Sequence, residues 1–185
     1  MSQPALYSLG FVVLLTAVAA YQDLRTGLIS NRIVLVGTAV GLTLSWAFAA
    51  YSGGGSGLLS AIGLSLLGAV LVGAVPLLLY RAGGIGGGDV KLLAAVGGVL
   101  GPYVGLEAEL YAFSLTVLYA PARLIWEGKL LSSMRTIGRL VVIPLIPRSA
   151  RKPEPQVAEL TSFRFGPAIF LGVLLTAAVR LSSLT

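Results

Sequence analysis

Aspartate occurs only twice in this chain of 185 residues, at Asp23 and Asp89. Two carboxyls held close together cannot both ionise easily, so such a pair shares one proton. The ionised member takes a proton from a water, and the protonated member donates to a scissile carbonyl. The chemistry this permits is hydrolysis, with the pair titrating as a unit. It requires no nucleophilic side chain, no metal and no cofactor, and none is expected. Histidine and cysteine are absent from the sequence. Their absence excludes Ser-His-Asp relays, thiol nucleophiles, disulfide frameworks and the zinc motifs. Carboxyls are left as the leading proton-transfer groups, ahead of Lys and Tyr.

Asp89 closes the segment Gly83-Gly84-Ile85-Gly86-Gly87-Gly88-Asp89, with five glycines in six residues before the carboxylate. Glycines on this scale weaken a helix, open backbone conformations with φ > 0, and let another chain approach closely. At membrane depth, irregular backbone is tolerated only where it is buried in protein or lines a water-filled cavity. The run therefore predicts a polar cavity beside Asp89, shaped by Gly86, Gly87 and Gly88. A phosphate-binding loop does not fit, because neither G-K-[ST] nor G-x-G-x-x-G is present. Simpler roles exist for each carboxylate alone. Asp89 is placed to cap a helix, and Asp23 to pair with Arg25 or Arg32. Lys91 either stays near Asp89 or extends to lipid headgroups.

The elements that must position these residues are membrane spans. Of the residues, 56% are hydrophobic and only 11% are charged, against about 25% charged in a soluble domain. Six runs are apolar enough to cross a bilayer: Pro4–Tyr21, Ile33–Tyr51, Leu58–Tyr80, Asp89–Leu106, Leu110–Trp126 and Phe165–Leu184. The expected fold is a single all-α polytopic domain over residues 1–185, with a long loop at 127–164. Within that loop, Leu140–Pro147 is too short to cross and is interrupted by proline, which suggests an interfacial or re-entrant piece. No Lys or Arg precedes the first span, so it is expected to be retained as a helix rather than act as a secretory signal.

Charge alternates between the connections. Arg25 and Arg32 lie in the first, Arg81 and Lys91 in the third, and Lys129, Arg135, Arg139, Arg148, Arg151, Lys152 and Arg164 in the fifth. The second, Ser52–Gly57, and the fourth, around Glu107 and Glu109, carry no basic residue. The positive-inside rule then makes the odd connections cytoplasmic and puts both termini outside. Arg180 is the exception, with a stem long enough to snorkel to the interface. Both aspartates fall at cytoplasmic ends of spans, where an intramembrane carboxylate is a functional candidate by default. The net charge of +6 is accounted for by attraction to anionic lipids on that side, and nucleic acid is not expected as a partner. Small residues recur every fourth position at Gly37, Gly41, Ser45 and Ala49, at Ala61, Ser65, Ala69 and Gly73, and at Ala168, Gly172 and Thr176. Such stripes let helix backbones pack closely in lipid.

Three ordered segments carry a family resemblance. Tyr21-Gln22-Asp23-Leu24-Arg25-Thr26-Gly27-Leu28-Ile29-Ser30-Asn31 resembles the first motif of type IV prepilin peptidases, an aspartate followed by I/L-P-N. Gly86-Gly87-Gly88-Asp89-Val90-Lys91-Leu92-Leu93 is similar to their G-x-G-D-x-K-L motif, and Phe165-Gly166-Pro167 to the F-G-P that opens their last span. The resemblance extends to preflagellin peptidases and, through G-x-G-D, to presenilin-type proteases. It implies a membrane aspartyl endopeptidase that removes short basic leader peptides from prepilin-like precursors at the cytoplasmic face of a prokaryotic inner membrane. The implied catalytic residues are Asp23 and Asp89, with Gly86 and Gly88 in the shaping loop and Asn31 and Lys91 as possible support. Ser30 stands where the family has proline. The methyltransferase region of larger members, with its cysteine zinc motif, is missing, so the resemblance is to the compact form that cleaves without methylating.

Two other classes fit the same composition. A small proton-coupled transporter would also carry intramembrane carboxylates, but the spans show no clear inverted repeat. A non-catalytic assembly protein would use the glycine run for packing alone. The glutamates of the long loop, Glu127, Glu154 and Glu159, are positioned to attract a basic leader but read equally well as solvated charges.

Overall fold

The computed structural model describes residues 3–82, 84–126 and 164–183. Its described residues form four helices: α1 (Gln3–Thr26), α2 (Asn31–Arg81), α3 (Gly87–Trp126) and α4 (Gly166–Ser182). An all-helical answer is what apolar sequence in lipid demands, because each helix satisfies its own backbone polar groups. Three of the helices are long and apolar enough to cross a membrane. Their outward faces carry large apolar side chains, with Leu35 and Leu118 each 73% exposed, a surface suited to lipid rather than water. The chain is a membrane protein. Gly83 and residues 127–163 lie outside the described residues, and with them the expected piece at Leu140–Pro147.

α2 has 51 residues and would run about 77 Å if straight. It does not run straight. The Trp46 indole N–H donates to Ser65 Oγ at 3.1 Å, although a straight helix would hold these residues about 28 Å apart. The reversal occurs at Gly54, with φ 59 and ψ −148, a conformation open essentially to glycine. α3 does the same at Gly101, with φ 80 and ψ 174. A Cβ built on Gly105 would sit 2.8 Å from Gly97 Cα, so the two arms of α3 touch.

These breaks differ from the sequence expectation. Ser52–Gly57 reads as a connecting loop, yet only Gly54 leaves helical geometry. The fourth connection was expected around Glu107 and Glu109, yet the chain turns at Gly101, just before Pro102, where the residue preceding a proline avoids helical backbone. Both glutamates are helical. Glu107 accepts a hydrogen bond from Arg180 Nε at 3.0 Å, so Arg180 is partnered within the protein rather than extended to the interface. Glu109 is only 4% exposed. Charge alone marked these residues as a loop, and a partner on another helix is what keeps Glu107 inside one.

α3 packs against all three other helices. The small-residue stripes are where this happens. A Cβ on Gly41 would meet Val99, one on Gly73 would meet Ala94, and one on Gly172 would meet the backbone of Ala108 and Ala112. The tightest approach is between Gly68 and Gly97, where a Cβ on Gly68 would overlap the Gly97 carbonyl oxygen at 2.1 Å. One apolar cluster, containing Ala19, Leu92, Leu93, Phe165 and Ile169, lies at the end of the bundle where α1 finishes and α3 and α4 begin. The Phe165 ring packs tilted against that of Phe113, with centroids 5.3 Å apart. The core is therefore built directly against the aspartates, since Ala19 is one helical turn before Asp23 and Leu92 and Leu93 follow Asp89.

Candidate active site

Asp23 sits in the last turn of α1. The helix ends when Gly27, at φ +70, folds its N–H back to the Asp23 carbonyl at 2.8 Å, a left-handed glycine cap. The following turn is tied at both ends. Thr26 Oγ1 donates to the Leu28 carbonyl at 2.9 Å, and the Ser30 N–H donates to Gln22 Oε1 at 2.9 Å. Ser30 then caps α2, its hydroxyl oxygen accepting from the Arg32 N–H at 3.3 Å. Where the family resemblance places a proline, which has no N–H, this chain uses the N–H to lock the turn onto Gln22.

Asp89 lies in the first turn of α3. The helix begins at Gly87, so Gly87 and Gly88 are helical and the irregular backbone is confined to the residues before them. Asp89 Oδ2 accepts from the Gly86 N–H at 3.2 Å, so the carboxylate holds its own approach loop in place. Gly88 packs on the α1–α2 turn. A Cβ there would stand 3.0 Å from Ile29 Cβ, so the turn would have to shift by a few tenths of an ångström to admit one. Two residues after Asp89, Lys91 Nζ donates to Asn31 Oδ1 at 2.9 Å. These two contacts bring the start of α3 onto the end of α1, and the carboxylates of Asp23 and Asp89 come close enough to feel each other's charge.

α4 completes the site from a distance of more than a hundred residues. Its Gly166 N–H donates to Asp23 Oδ2 at 3.0 Å within the protein interior. A helix leaves its first N–H groups without internal partners, and Pro167, following Gly166, has no N–H to offer. Asp23 thus serves as a cap supplied by another helix and sits at the positive end of the α4 dipole. Arg164, just before α4, donates to the Leu24 carbonyl and adds its charge near Asp23. The approach is close enough to require glycine: a Cβ on Gly166 would lie 2.9 Å from Asp23 Cβ. The motif Phe165-Gly166-Pro167 was legible in the sequence as the opening of a span. Its contact with Asp23, and the role of Gln22, were not.

Asp23 is 5% exposed and Asp89 8%. Each spends its Oδ2 on a backbone N–H, and Oδ1 has no hydrogen bond from any described residue. Each carboxylate therefore keeps one oxygen free of hydrogen bonds from the described residues. Of the simpler roles, an ion pair of Asp23 with Arg25 or Arg32 does not occur among the described residues. Arg25 instead lies over the Tyr21 ring, 5.3 Å from its centre.

The family model of the type IV leader peptidases matches residues 10–121, more than half of the chain and inclusive of both aspartates. The chain belongs to the type IV leader peptidase family. It is accordingly a peptidase, a hydrolase embedded in a membrane. The match stops short of α4, so the part of the leader peptidase that holds Asp23 from the far side lies beyond the matched residues. No curated protein and no solved structure matches the chain.

Proposed function

We propose that this leader peptidase is an aspartyl endopeptidase that cleaves the short basic leader of type IV prepilin-like precursors, Flp-type pilins or archaellins, at the cytoplasmic membrane face. The single observation that carries the reading is the convergence of Asp23 and Asp89, each tethered through Oδ2 to a backbone N–H and each with Oδ1 unengaged by described residues. One carboxylate removes a proton from the attacking water. The other, protonated, donates to the scissile carbonyl oxygen, and the tetrahedral adduct collapses as the leaving amine takes up a proton. Backbone tethers suit this chemistry because they fix the carboxylates without neutralising them.

The topology that accompanies the proposal has six crossings, from α1, the two arms each of α2 and α3, and α4. Its support is the reversal at Gly54 and at Gly101 together with the basic connections. The ends that meet at the site are those of α1 and α2 and the starts of α2, α3 and α4, the same ends that carry Arg25, Arg32, Arg81, Lys91 and Arg164. The positive-inside rule puts that end in the cytoplasm and both termini outside, in the inner membrane of a prokaryote.

The test uses the purified full chain in detergent with a prepilin-like peptide. Cleavage by the wild type and a loss of about 10²–10⁴-fold in kcat for both Asp23→Asn and Asp89→Asn is the expected result, with helical content unchanged by circular dichroism. Cleavage that survives either substitution refutes the paired mechanism.

A further inference from the structure

A groove of about 590 Å³ opens between the two arms of α2 and the start of α3. It is distinct from the space between the aspartates. Its walls are formed by Leu35, Leu42 and Trp46 on the first arm of α2, Leu66 on the second, and Ala94 on α3. The hydroxyls that line it are already engaged within the protein. Thr38 Oγ1 donates to the Val34 carbonyl at 2.6 Å, and Ser65 Oγ accepts from Trp46. The interior therefore asks for an apolar occupant.

Its mouth asks for an anion. Arg32 and Lys91 both line the groove at the end nearest the α1–α2 turn. Lys91 is bonded to the neutral amide of Asn31, and the Arg32 guanidinium makes no ion pair or hydrogen bond among the described residues. Two positive charges thus stand unneutralised over an apolar channel.

The length of the channel selects between apolar occupants. From Arg32 to Trp46 along one helix arm is about 21 Å. This is close to the depth of one leaflet with its headgroup, about 20–22 Å, and well short of the 30 Å or so that a crossing helix covers. We propose that this groove binds one anionic phospholipid, its phosphate against Arg32 and Lys91 and an acyl chain reaching Trp46. The site is independent of the proteolytic reading and stands or falls separately from it.

Trp46 reports on the groove directly. The full chain carrying Trp126→Phe, which leaves Trp46 as the sole tryptophan, is reconstituted in phosphatidylcholine bilayers. Brominated-acyl phosphatidylglycerol or brominated-acyl phosphatidylcholine is then titrated in while Trp46 fluorescence is read. Half-maximal quenching by the phosphatidylglycerol is expected at a mole fraction at least about five-fold lower than by the phosphatidylcholine. R32Q should reduce that preference about five-fold while R32K retains it, and Thr38→Phe, which fills the groove, should weaken quenching by both lipids. Equal quenching by the two lipids, or a preference untouched by R32Q, overturns the proposal. So does a Trp46 insensitive to both, the result expected if a protein segment rather than lipid covers the groove.

Discussion

Lys91 Nζ donates a hydrogen bond to Asn31 Oδ1 at 2.9 Å across 60 residues of sequence. The bond joins the first residue of α2 to the first turns of α3, and each of these residues lies within a few positions of the connection or helix start that carries an aspartate. It acts with the Gly88–Ile29 contact as a clasp that sets how α3 meets the end of α1. Lys91 is therefore turned towards a neutral amide, and not to a carboxylate.

If the clasp positions the aspartates, Lys91→Met and Asn31→Leu should each lower kcat/KM by a few-fold and should not add. The bond is exposed, so a double-mutant cycle should return a coupling below about 1 kcal/mol. Strict additivity of the two substitutions would show that the residues act separately.

Gly166→Val should be far more damaging than its distance in sequence from the aspartates suggests. The new side chain would occupy the volume of the Asp23 carboxylate, and a displacement of about 1 Å in a reacting group costs on the order of 10²-fold. The expected signature is a fall in kcat with the helical content preserved. Full activity in this variant would mean that α4 does not orient Asp23.

The turn lock makes a prediction about order. Gln22→Ala removes the acceptor for the Ser30 N–H and should cost about 1 kcal/mol of stability. Ser30 has φ −65, which proline adopts without strain. Ser30→Pro forfeits the cap on the Arg32 N–H in either background but the bond to Gln22 only in the wild type, so it should cost about 1 kcal/mol less in the Gln22→Ala background. Thermal unfolding of the four variants in detergent checks the pattern, and equal effects of Ser30→Pro in both backgrounds would contradict it.

At the opposite end of the bundle, Arg180 and Glu107 hold α4 to α3. Removing one partner leaves the other charge uncompensated in a partly buried place, which costs more than removing both. Glu107→Leu and Arg180→Leu should each lower the melting temperature, and the double substitution should recover part of the loss. A double variant less stable than either single would rule out that account.

The all-helical class, the membrane character and the family were legible in the sequence because they rest on local quantities: long apolar runs, few charges, and two short motifs around the only aspartates. The breaks were harder to place. Gly54 is one glycine among 24 and nothing local distinguishes it as one that takes positive φ, while Gly101 has only the Pro102 that follows it as a mark. Glu107 misled for a related reason, since a charged residue looks like a loop until its partner on another helix is known.

The sequence by itself determined the chemistry available to this protein. It has two aspartates, no histidine and no cysteine, with glycines where a close approach is needed, and these are properties of residue type that no fold alters. Only the tertiary structure decided what holds those carboxylates. Asp23 is capped by Gly166 from the far end of the chain, Asp89 by its own approach loop, and the two are brought together through Gly88 on Ile29 and Lys91 on Asn31. Contacts of this kind depend on how helices reverse and pack over distances of 60 to 143 residues. Hydropathy and short motifs carry no record of separations that long, so packing alone supplies the pairing.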